Sequence, residues 1–202
     1  MDKKIIITIG RQFGSGGLAV ARELGRKLGI PVYDNELITK AAQDSGFSAE
    51  LFVKKDEQRS IMSFTSFLTQ GFDAENDYMS ESGLFRIQGD TIRRIAEQGS
   101  AVIVGRCSDY ILRDMDCCLN VFLTSPDEVR ASRVAERCGI TQEKALSMME
   151  KKDKVRAEYY NYFTFGNWGV ASNYDLCIDS SLLGIGGTAD IIIEFARRKG
   201  LL

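Results

Sequence analysis

The chain of 202 residues contains no histidine. This absence excludes Ser-His-Asp and Cys-His catalysis, and it excludes metal sites that need histidine ligands. No charge of one sign dominates, because 26 Lys and Arg oppose 28 Asp and Glu for a net charge of −2. Duplex nucleic acid is usually bound by a strongly basic face, so this balance argues against a nucleic acid polymer as partner. The chemistry therefore has to come from Arg, Lys, Asp, Glu, Ser, Tyr, Cys, backbone amides or a metal ion carried by a ligand.

Patterned cysteines and long apolar runs are lacking as well. The five cysteines are odd in number and include no Cys-x-x-Cys spacing, which favours buried free thiols over a disulfide framework or a zinc site. No apolar run approaches the ~20 residues of a membrane span, and the run at residues 5–9 is shorter than a signal-peptide core of about 7–15 residues. We therefore expect a cytoplasmic protein with no membrane partner.

Short apolar segments alternate with segments of helical periodicity along most of the chain. Residues 5–9 are a continuous β-branched run, typical of a parallel strand buried on both faces. We expect this strand in the centre of the sheet, between strands at 101–104 and 119–123, with shorter strands at 31–34 and 176–178. The pattern predicts an α/β fold with a five-stranded parallel sheet and helices on both faces.

Several residues mark where helices begin and end. Gly29 predicts the end of a helix that covers residues 18–28. Ser125 is followed by a proline and, three positions on, by Glu128, which predicts a serine N-cap with a capping box. Thr141 predicts the start of a further helix that runs towards residue 160. Additional helices are predicted over residues 36–42, 84–98 and 188–199.

Residues 43–82 are less regular than the rest of the chain. They carry several phenylalanines among Ser, Thr, Asp and Glu, with a helix predicted near 49–59. Such phenylalanines mark an interface when they are exposed, or they fold back onto the core. A homodimer through this region is therefore one expectation, and simple core packing is the other.

A glycine-rich segment, Gly10-Arg-Gln-Phe-Gly-Ser-Gly-Gly, follows the first predicted strand and leads into the first helix. Glycines there allow the backbone amides to curl around an anion, and the helix dipole adds positive charge. The full phosphate-loop motif is G-x-x-x-x-G-K-[ST]. With Gly16 aligned, Arg11 takes the place of the first glycine, Gly17 that of the lysine and Leu18 that of the hydroxyl residue. The segment is a phosphate cradle in which Arg11 supplies the missing cation, or it is only a tight connection with Arg11 paired to a carboxylate.

Six segments in order resemble the cytidylate kinase-like P-loop kinases, in particular those whose loop lacks the usual lysine. They are ITIGRQFGSGG, PVYDNELI, AVIVGRCSDYIL, NVFLTSPDEVRASRVAERCGI, KKDKVRAEYY and NYDLCIDSS, and together they cover most of the chain. The resemblance implies a P-loop three-layer sandwich as a single domain over residues 1–202. It further implies an acceptor-side or interface lobe at 43–82 and an arginine-rich helical lid at 126–165.

The resemblance also implies a reaction, in which the γ-phosphoryl group of ATP, bound with Mg²⁺, moves to a nucleoside monophosphate such as CMP or dCMP. The transition state spreads negative charge over phosphoryl oxygens, so arginines and amides would stabilise it. Gly14, Ser15, Gly16 and Gly17 would hold the ATP phosphates through their amides, together with Arg11. Arg106 and Asp34 would bind the acceptor. Arg133, Arg137 and Arg156 would neutralise the transferred group.

Alternative interpretations stay open for several of these residues. Cys107 stands where the family has an aspartate near the base, which leaves the acceptor undecided. Asp34 also fits as the N-cap of the following helix. Arg130, Arg133 and Arg137 share one helix face and could simply be solvated. The aromatic residues at 159–168 suit packing or base stacking. The rival functions are a non-catalytic nucleotide-binding or regulatory module and a kinase for a different small acceptor.

Overall fold

The computed structural model describes residues 4–44 and 78–202. Within these residues five parallel strands form one sheet in the order β2-β3-β1-β4-β5. The strands are β1 Ile6–Arg11, β2 Val32–Tyr33, β3 Ala101–Val104, β4 Cys118–Thr124 and β5 Leu176–Asp179. The predicted central strand is confirmed, because Ile6 pairs with Ala101 on one side and with Cys118 on the other.

Seven α-helices accompany the sheet in the described residues. They are α1 Gly17–Leu28, α2 Asn35–Asp44, α3 Tyr78–Gln98, α4 Ser108–Ile111, α5 Asp127–Cys138, α6 Gln142–Thr164 and α7 Ser180–Arg198. A short 3₁₀ turn covers Ala171–Asn173. The helix predicted at 49–59, and nearly all of the lobe predicted at 43–82, lie outside the described residues. None of the described helices is both long and apolar enough to cross a membrane.

Two apolar clusters cover the opposite faces of the sheet. Ile5, Ile7 and Ile9 point to the face that α1 and α7 cover, whereas Ile6 points to the face that α2 and α3 cover. Alternate residues of a strand point to opposite faces, so a strand that is buried on both sides must be apolar throughout. This is the physical basis of the unbroken isoleucine run.

The helices α5 and α6 form an antiparallel pair over the range predicted for the lid. Gly139 adopts a left-handed conformation at the end of α5, and the Thr141 side chain caps α6 by accepting from the Lys144 amide at 3.4 Å. A third apolar cluster lies between the two helices. Its buried members are Ala131, Val134, Ala145 and Met149. The pair thus has a small core of its own.

The start of α5 and the extent of α7 differ from the prediction. Pro126 occupies the N-cap position of α5, and Ser125 makes no capping hydrogen bond. The capping-box prediction is wrong because the Ser125 hydroxyl donates to Asp179 Oδ1, at 3.4 Å, in the neighbouring strand. The last helix begins at Ser180 rather than at residue 188, with a break where Gly184 has a φ of 65°.

Candidate functional site

The glycine-rich segment forms a loop between β1 and α1 at the carboxyl edge of the sheet. Ser15 is fully buried, and both its amide and its hydroxyl donate to the Gln12 carbonyl, at 3.3 and 2.9 Å. The Ser15 carbonyl accepts from the Ser180 hydroxyl at 2.5 Å. The loop is therefore fixed from inside by its own turn and from outside by the first residue of α7.

Several amides of this loop remain available to a ligand. Gly14 and Gly16 have φ values of 84° and 81°, a left-handed conformation that suits glycine. A side chain on Gly14 would also lie 3.0 Å from the Arg130 carbonyl, so glycine permits the close approach of the loop to α5. Throughout residues 4–44 and 78–202, the amides of Gly14, Gly16 and Gly17 find no protein acceptor. With the N-terminus of α1 behind them, these amides are arranged so that they can donate to an anion.

Arg11 extends from the end of β1 beneath the loop. Its stem lies against Gly17, and its guanidinium packs against Gly105 at the end of β3. Burial, reinforced by the nearby charges of Arg156 and Arg106, lowers the pKa of Arg11 to about 9. Among the described residues no carboxylate lies within ion-pair distance of Arg11, so the simple surface ion pair is not observed. Its cation stands between the loop and β3, where it can meet a bound anion.

The turn at residues 105–107 follows β3 with three successive positive φ values. They are 78° for Gly105, 56° for Arg106 and 53° for Cys107. Two non-glycine residues in this region hold backbone strain, which is common at functional sites. Arg106 donates through Nε to the Asn35 side-chain oxygen, and its guanidinium lies 5.5 Å from the ring centre of Tyr159. Burial raises the pKa of the Cys107 thiol, so this residue is a neutral group behind the turn.

The carboxylates near this turn already have partners. Asp34 Oδ1 accepts from the amides of Glu36 and Leu37, both at 3.1 Å, which is the N-cap arrangement for α2. The same charge lies close enough to Arg11 to favour its protonated form. Asp109 accepts from the Tyr160 hydroxyl at 2.8 Å, and burial raises the pKa of this carboxyl group. Asp34 therefore faces Arg11 while it caps a helix.

The three arginines predicted on the lid all reach the loop. Arg133 Nη1 donates to Ser180 Oγ at 3.3 Å and lies 3.7 Å from the position of a side chain on Gly16. Arg156 Nη1 donates to the Arg11 carbonyl at 3.1 Å. Arg137 reaches the loop through an aromatic contact described below. The structure thus brings together predicted residues from β1, α5 and α6.

Two residues of the site escaped the sequence interpretation, Phe13 and Asp153. Asp153 on α6 accepts from the Phe13 amide through Oδ1 and from Arg130 Nη1 through Oδ2, both at 2.6 Å. Arg130 is 7% exposed and also pairs with Asp127 at 2.6 Å, so it is a buried anchor rather than a solvated charge. A lone aspartate between lysines resembles a solvated helix position, and only its partner 140 positions earlier reveals its role.

The buried amide of Gln88, on α3, is incompletely bonded. Its side-chain oxygen accepts from the Tyr159 hydroxyl at 3.4 Å, and its nitrogen has no partner in the described structure. Phe85 on the same helix stacks on Phe163 with ring centres 4.1 Å apart. The aromatic residues at the end of α6 therefore pack against α3, next to Arg106.

Positive charge exceeds negative charge around the loop. The guanidinium groups that border it or meet it through a neighbour are those of Arg11, Arg106, Arg133, Arg137 and Arg156. The nearby carboxylates are those of Asp34 and Asp153, close to Arg11, and that of Asp179, close to Arg133. Such an excess, beside available amides, suits a ligand with several phosphate charges.

The chain is similar in sequence to known proteins. The sequence model of the cytidylate kinase-like family matches residues 6–182. The cytidylate kinase of Methanothrix thermoacetophila is 29% identical over 194 residues, which cover 96% of this chain and 98% of the relative. That of Pyrococcus abyssi is 30% identical over 179 residues, 88% of this chain and 85% of the relative.

Solved structures share the fold. An uncharacterized protein from Eubacterium ventriosum is 32% identical, with a TM-score of 0.75 over 97% of this chain and 99% of that one. Shikimate kinase from Bacteroides thetaiotaomicron has a TM-score of 0.54 over 96% of this chain and 98% of that one, at 12% identity. The second likeness shows a common P-loop kinase fold, a three-layer α/β sandwich, and nothing about the substrate.

Proposed function

The chain belongs to the cytidylate kinase-like family, and from this premise we propose that it transfers the γ-phosphoryl group of MgATP to CMP or dCMP. Membership already implies a nucleotide kinase that carries out ATP-dependent phosphoryl transfer. The acceptor and the residue roles below are the proposal.

The observation that carries the proposal is the convergence of arginines on the loop. Arg11 lies beneath the loop, and Arg133 and Arg156 approach it from α5 and α6. A phosphoryl-transfer transition state spreads negative charge over its oxygens, and arginines placed beforehand stabilise that charge. Three positions of the usual motif are changed in this chain. The surrounding guanidinium groups supply the positive charge that the missing lysine would have contributed.

ATP would bind with its phosphates at the amides of Gly14, Ser15, Gly16 and Gly17 and above Arg11. The Ser15 amide already donates to Gln12 at 3.3 Å, so we expect the glycine amides to contribute most. Mg²⁺ enters as part of the substrate, because it usually keeps several waters and binds mainly to nucleotide phosphates. Asp34, whose carboxylate is next to Arg11, would bind the acceptor together with Arg106.

The acceptor phosphate would bind at Arg106, on the turn after β3. Arg137 and Arg156 would contact the group in transfer, since they extend from α5 and α6 over the loop. Chemistry of this kind needs positioned cations more than a strong base, which fits a chain without histidine.

A non-catalytic nucleotide-binding module is the second candidate. It is favoured by Gly17, Leu18 and Cys107, which replace a lysine, a hydroxyl and a carboxylate expected from the family. A kinase for another small acceptor is the third, and it rests on Cys107 alone. The three candidates differ in turnover and in acceptor choice.

Steady-state kinetics with MgATP and a panel of CMP, dCMP and UMP, together with calorimetric ATP binding, separates these candidates. We expect Arg106→Ala to raise the acceptor KM about tenfold or more with a smaller change in kcat. Arg137→Ala and Arg156→Ala should lower kcat by about 10³-fold, because these arginines meet the group in transfer. Arginine-to-lysine variants at the same positions preserve the charge and serve as controls.

Each outcome has a distinct meaning. ATP binding without turnover on CMP, dCMP or UMP would reject the cytidine acceptors and leave two candidates, the binding module and a kinase for an acceptor outside this panel. Turnover with a preference for UMP would retain the kinase and reject the cytidine acceptors. Turnover that is insensitive to all the arginine variants would retain the reaction and reject the residue roles.

A further inference from the structure

Phe13 is a loop residue that contacts both helices of the α5–α6 pair, the range predicted for the lid. Its amide donates to Asp153 Oδ1 on α6 at 2.6 Å, and its carbonyl accepts from Arg130 Nη1 on α5 at 3.0 Å. Both main-chain groups of one residue are therefore bound by side chains of the helix pair. The available amide of Gly14 follows directly in the chain, so the position of the loop depends on this attachment.

The Phe13 side chain is equally involved. Its half-buried ring packs against the apolar cluster between α5 and α6 that includes Val134 and Met149. The guanidinium carbons of Arg137 and Arg156 lie 5.2 and 5.3 Å from the ring centre. One ring thus contacts the core of the helix pair and two of its cations.

These contacts explain how two positively charged side chains, Arg137 and Arg156, can lie next to each other. Arg137 and Arg156 repel each other. Burial lowers the pKa of Arg156, and the charge of Arg137 lowers it further. An aromatic ring attracts a cation within about 6 Å without neutralising it. Asp153 lies 3.8 Å from Arg156 Nη1 and offsets part of the charge of that arginine. A second carboxylate in place of the ring would cancel more of the charge that a phosphate needs. The neutral ring contacts both cations beside the loop without offsetting their charge any further.

We propose that Phe13 is a positioning residue that holds Arg137 and Arg156 over the phosphate loop. The proposal rests on the proposed function for its kinetic consequence, whereas its consequence for anion binding does not depend on turnover. Since the ring is part of the loop itself, the cations keep their place relative to the loop amides. Arg137 and Arg156 thereby supply positive charge next to the loop, which lacks the lysine of the usual motif.

The test is a double-mutant cycle on anion binding. The variants are Phe13→Leu, which keeps an apolar side chain in the cluster, and Arg137→Ala with Arg156→Ala, which removes both cations. The probes are inorganic tripolyphosphate and ATP, measured by calorimetry. We expect Phe13→Leu to weaken tripolyphosphate binding about threefold to tenfold in the native background, and to have almost no effect once both arginines are absent.

Two further measurements separate positioning from a merely structural role. Phe13→Tyr keeps the ring face and should restore native binding, whereas Phe13→Leu should not. If turnover is found, Phe13→Leu should lower kcat about tenfold and leave the acceptor KM unchanged. An equal loss of affinity in both arginine backgrounds, or no loss in either, would overturn the proposal. Wild-type protein that binds tripolyphosphate but phosphorylates nothing would end the proposed function alone, because the binding cycle still tests Phe13.

Discussion

Two corners of the sheet's carboxyl edge are built in different ways. At the loop–lid corner, formed by residues 11–17 with α5 and α6, ion pairs and main-chain hydrogen bonds meet at Asp153. At the turn of residues 105–107, successive left-handed residues set the chain's course, and Arg106 meets an amide oxygen and an aromatic ring. Each non-glycine left-handed residue costs about 1–2 kcal/mol. One corner is therefore stabilised by charge pairing, whereas the other is maintained in spite of backbone strain.

The largest expected effect is on ATP affinity, which should depend on the loop–lid corner and hardly at all on the turn of residues 105–107. Gly16→Val should weaken ATP binding about 100-fold or more, because a side chain at a φ of 81° is strained and would lie 2.8 Å from Ile185. Arg106→Ala belongs to the other corner and should leave ATP affinity within about twofold of wild type. Calorimetric titration of both variants with MgATP measures the contrast.

Gly186→Ala is the matched control, because nothing lies within 4 Å of a side chain at that position. Its ATP affinity should equal that of the wild type. Circular dichroism checks that Gly16→Val is folded. If folded Gly16→Val binds ATP with native affinity, the loop is not part of the ATP site. If Gly16→Val and Arg106→Ala lose the same affinity, both corners bind ATP, and the contrast between them is wrong.

The second prediction concerns the free energy of unfolding. It compares two carboxylates that bind the guanidinium group of Arg130 at the same distance. Asp153 and Asp127 both lie 2.6 Å from Arg130, but their side chains are 16% and 72% exposed. Asp153→Asn should lower the free energy of unfolding by about 3 kcal/mol, since it deprives a buried arginine of its buried partner. Asp127→Asn should cost less than about 1 kcal/mol.

Urea denaturation of both variants, with the wild type as reference, gives these differences. Asn is nearly isosteric with Asp, so the comparison reports charge rather than volume. If the two variants lose the same stability, the strength of these ion pairs does not depend on burial. The loop–lid corner is then no more stabilised by charge pairing than an exposed surface is.

Sequence reasoning succeeded where a local pattern has one structural meaning. Five consecutive apolar residues at 5–9 admit a strand covered on both faces, and the structure places that strand in the centre of the sheet. Gly29 ended the first helix as predicted, with a φ of 66°. The arginines of α5 and α6 lie beside the loop, whereas their role in phosphoryl transfer stays a prediction.

Sequence reasoning failed where distant partners decide a residue's role. Asp153 pairs with a loop amide 140 positions earlier, and Ser125 bonds to Asp179 in another strand. The last helix was predicted to begin only at residue 188, because the glycines at 184, 186 and 187 disfavour a helix, whereas it begins at Ser180. Asp34 caps α2, which was one of its two predicted roles. This role could be predicted because its hydrogen bonds are to amides only two and three residues away.

The pH dependence of ATP binding should follow Arg11, which connects the two corners. Burial lowers the pKa of Arg11 to about 9, so the ligand-free protein begins to lose this cation as the pH passes 9. Phosphate binding favours the charged form, and ATP affinity attributable to Arg11 should therefore fall by up to about tenfold per pH unit above that value. Above pH 9 the unfolded chain, in which this arginine is not buried, keeps the proton that the folded chain loses, so this group's contribution to stability rises with pH.

Calorimetric titration between pH 7 and about 10 checks this expectation. Arg11→Ala should bind ATP weakly at neutral pH and lack the decline that Arg11 causes. An identical pH profile in the wild type and in Arg11→Ala would show that Arg11 does not contact the phosphates.

The smallest expected effect lies within the loop–lid corner and concerns its two candidate helix caps. Thr141 caps α6 through the Lys144 amide, whereas Ser125 makes no cap and instead contacts Asp179 and Arg133. Thr141→Ala should therefore lower the free energy of unfolding by about 1 kcal/mol, and Ser125→Ala by no more than about 0.5 kcal/mol. Urea denaturation of the two variants measures both values. A larger loss in Ser125→Ala would mean that its bonds to Asp179 and Arg133 hold the corner together, in which case this serine, and not only Asp153, ties the loop's surroundings to the lid.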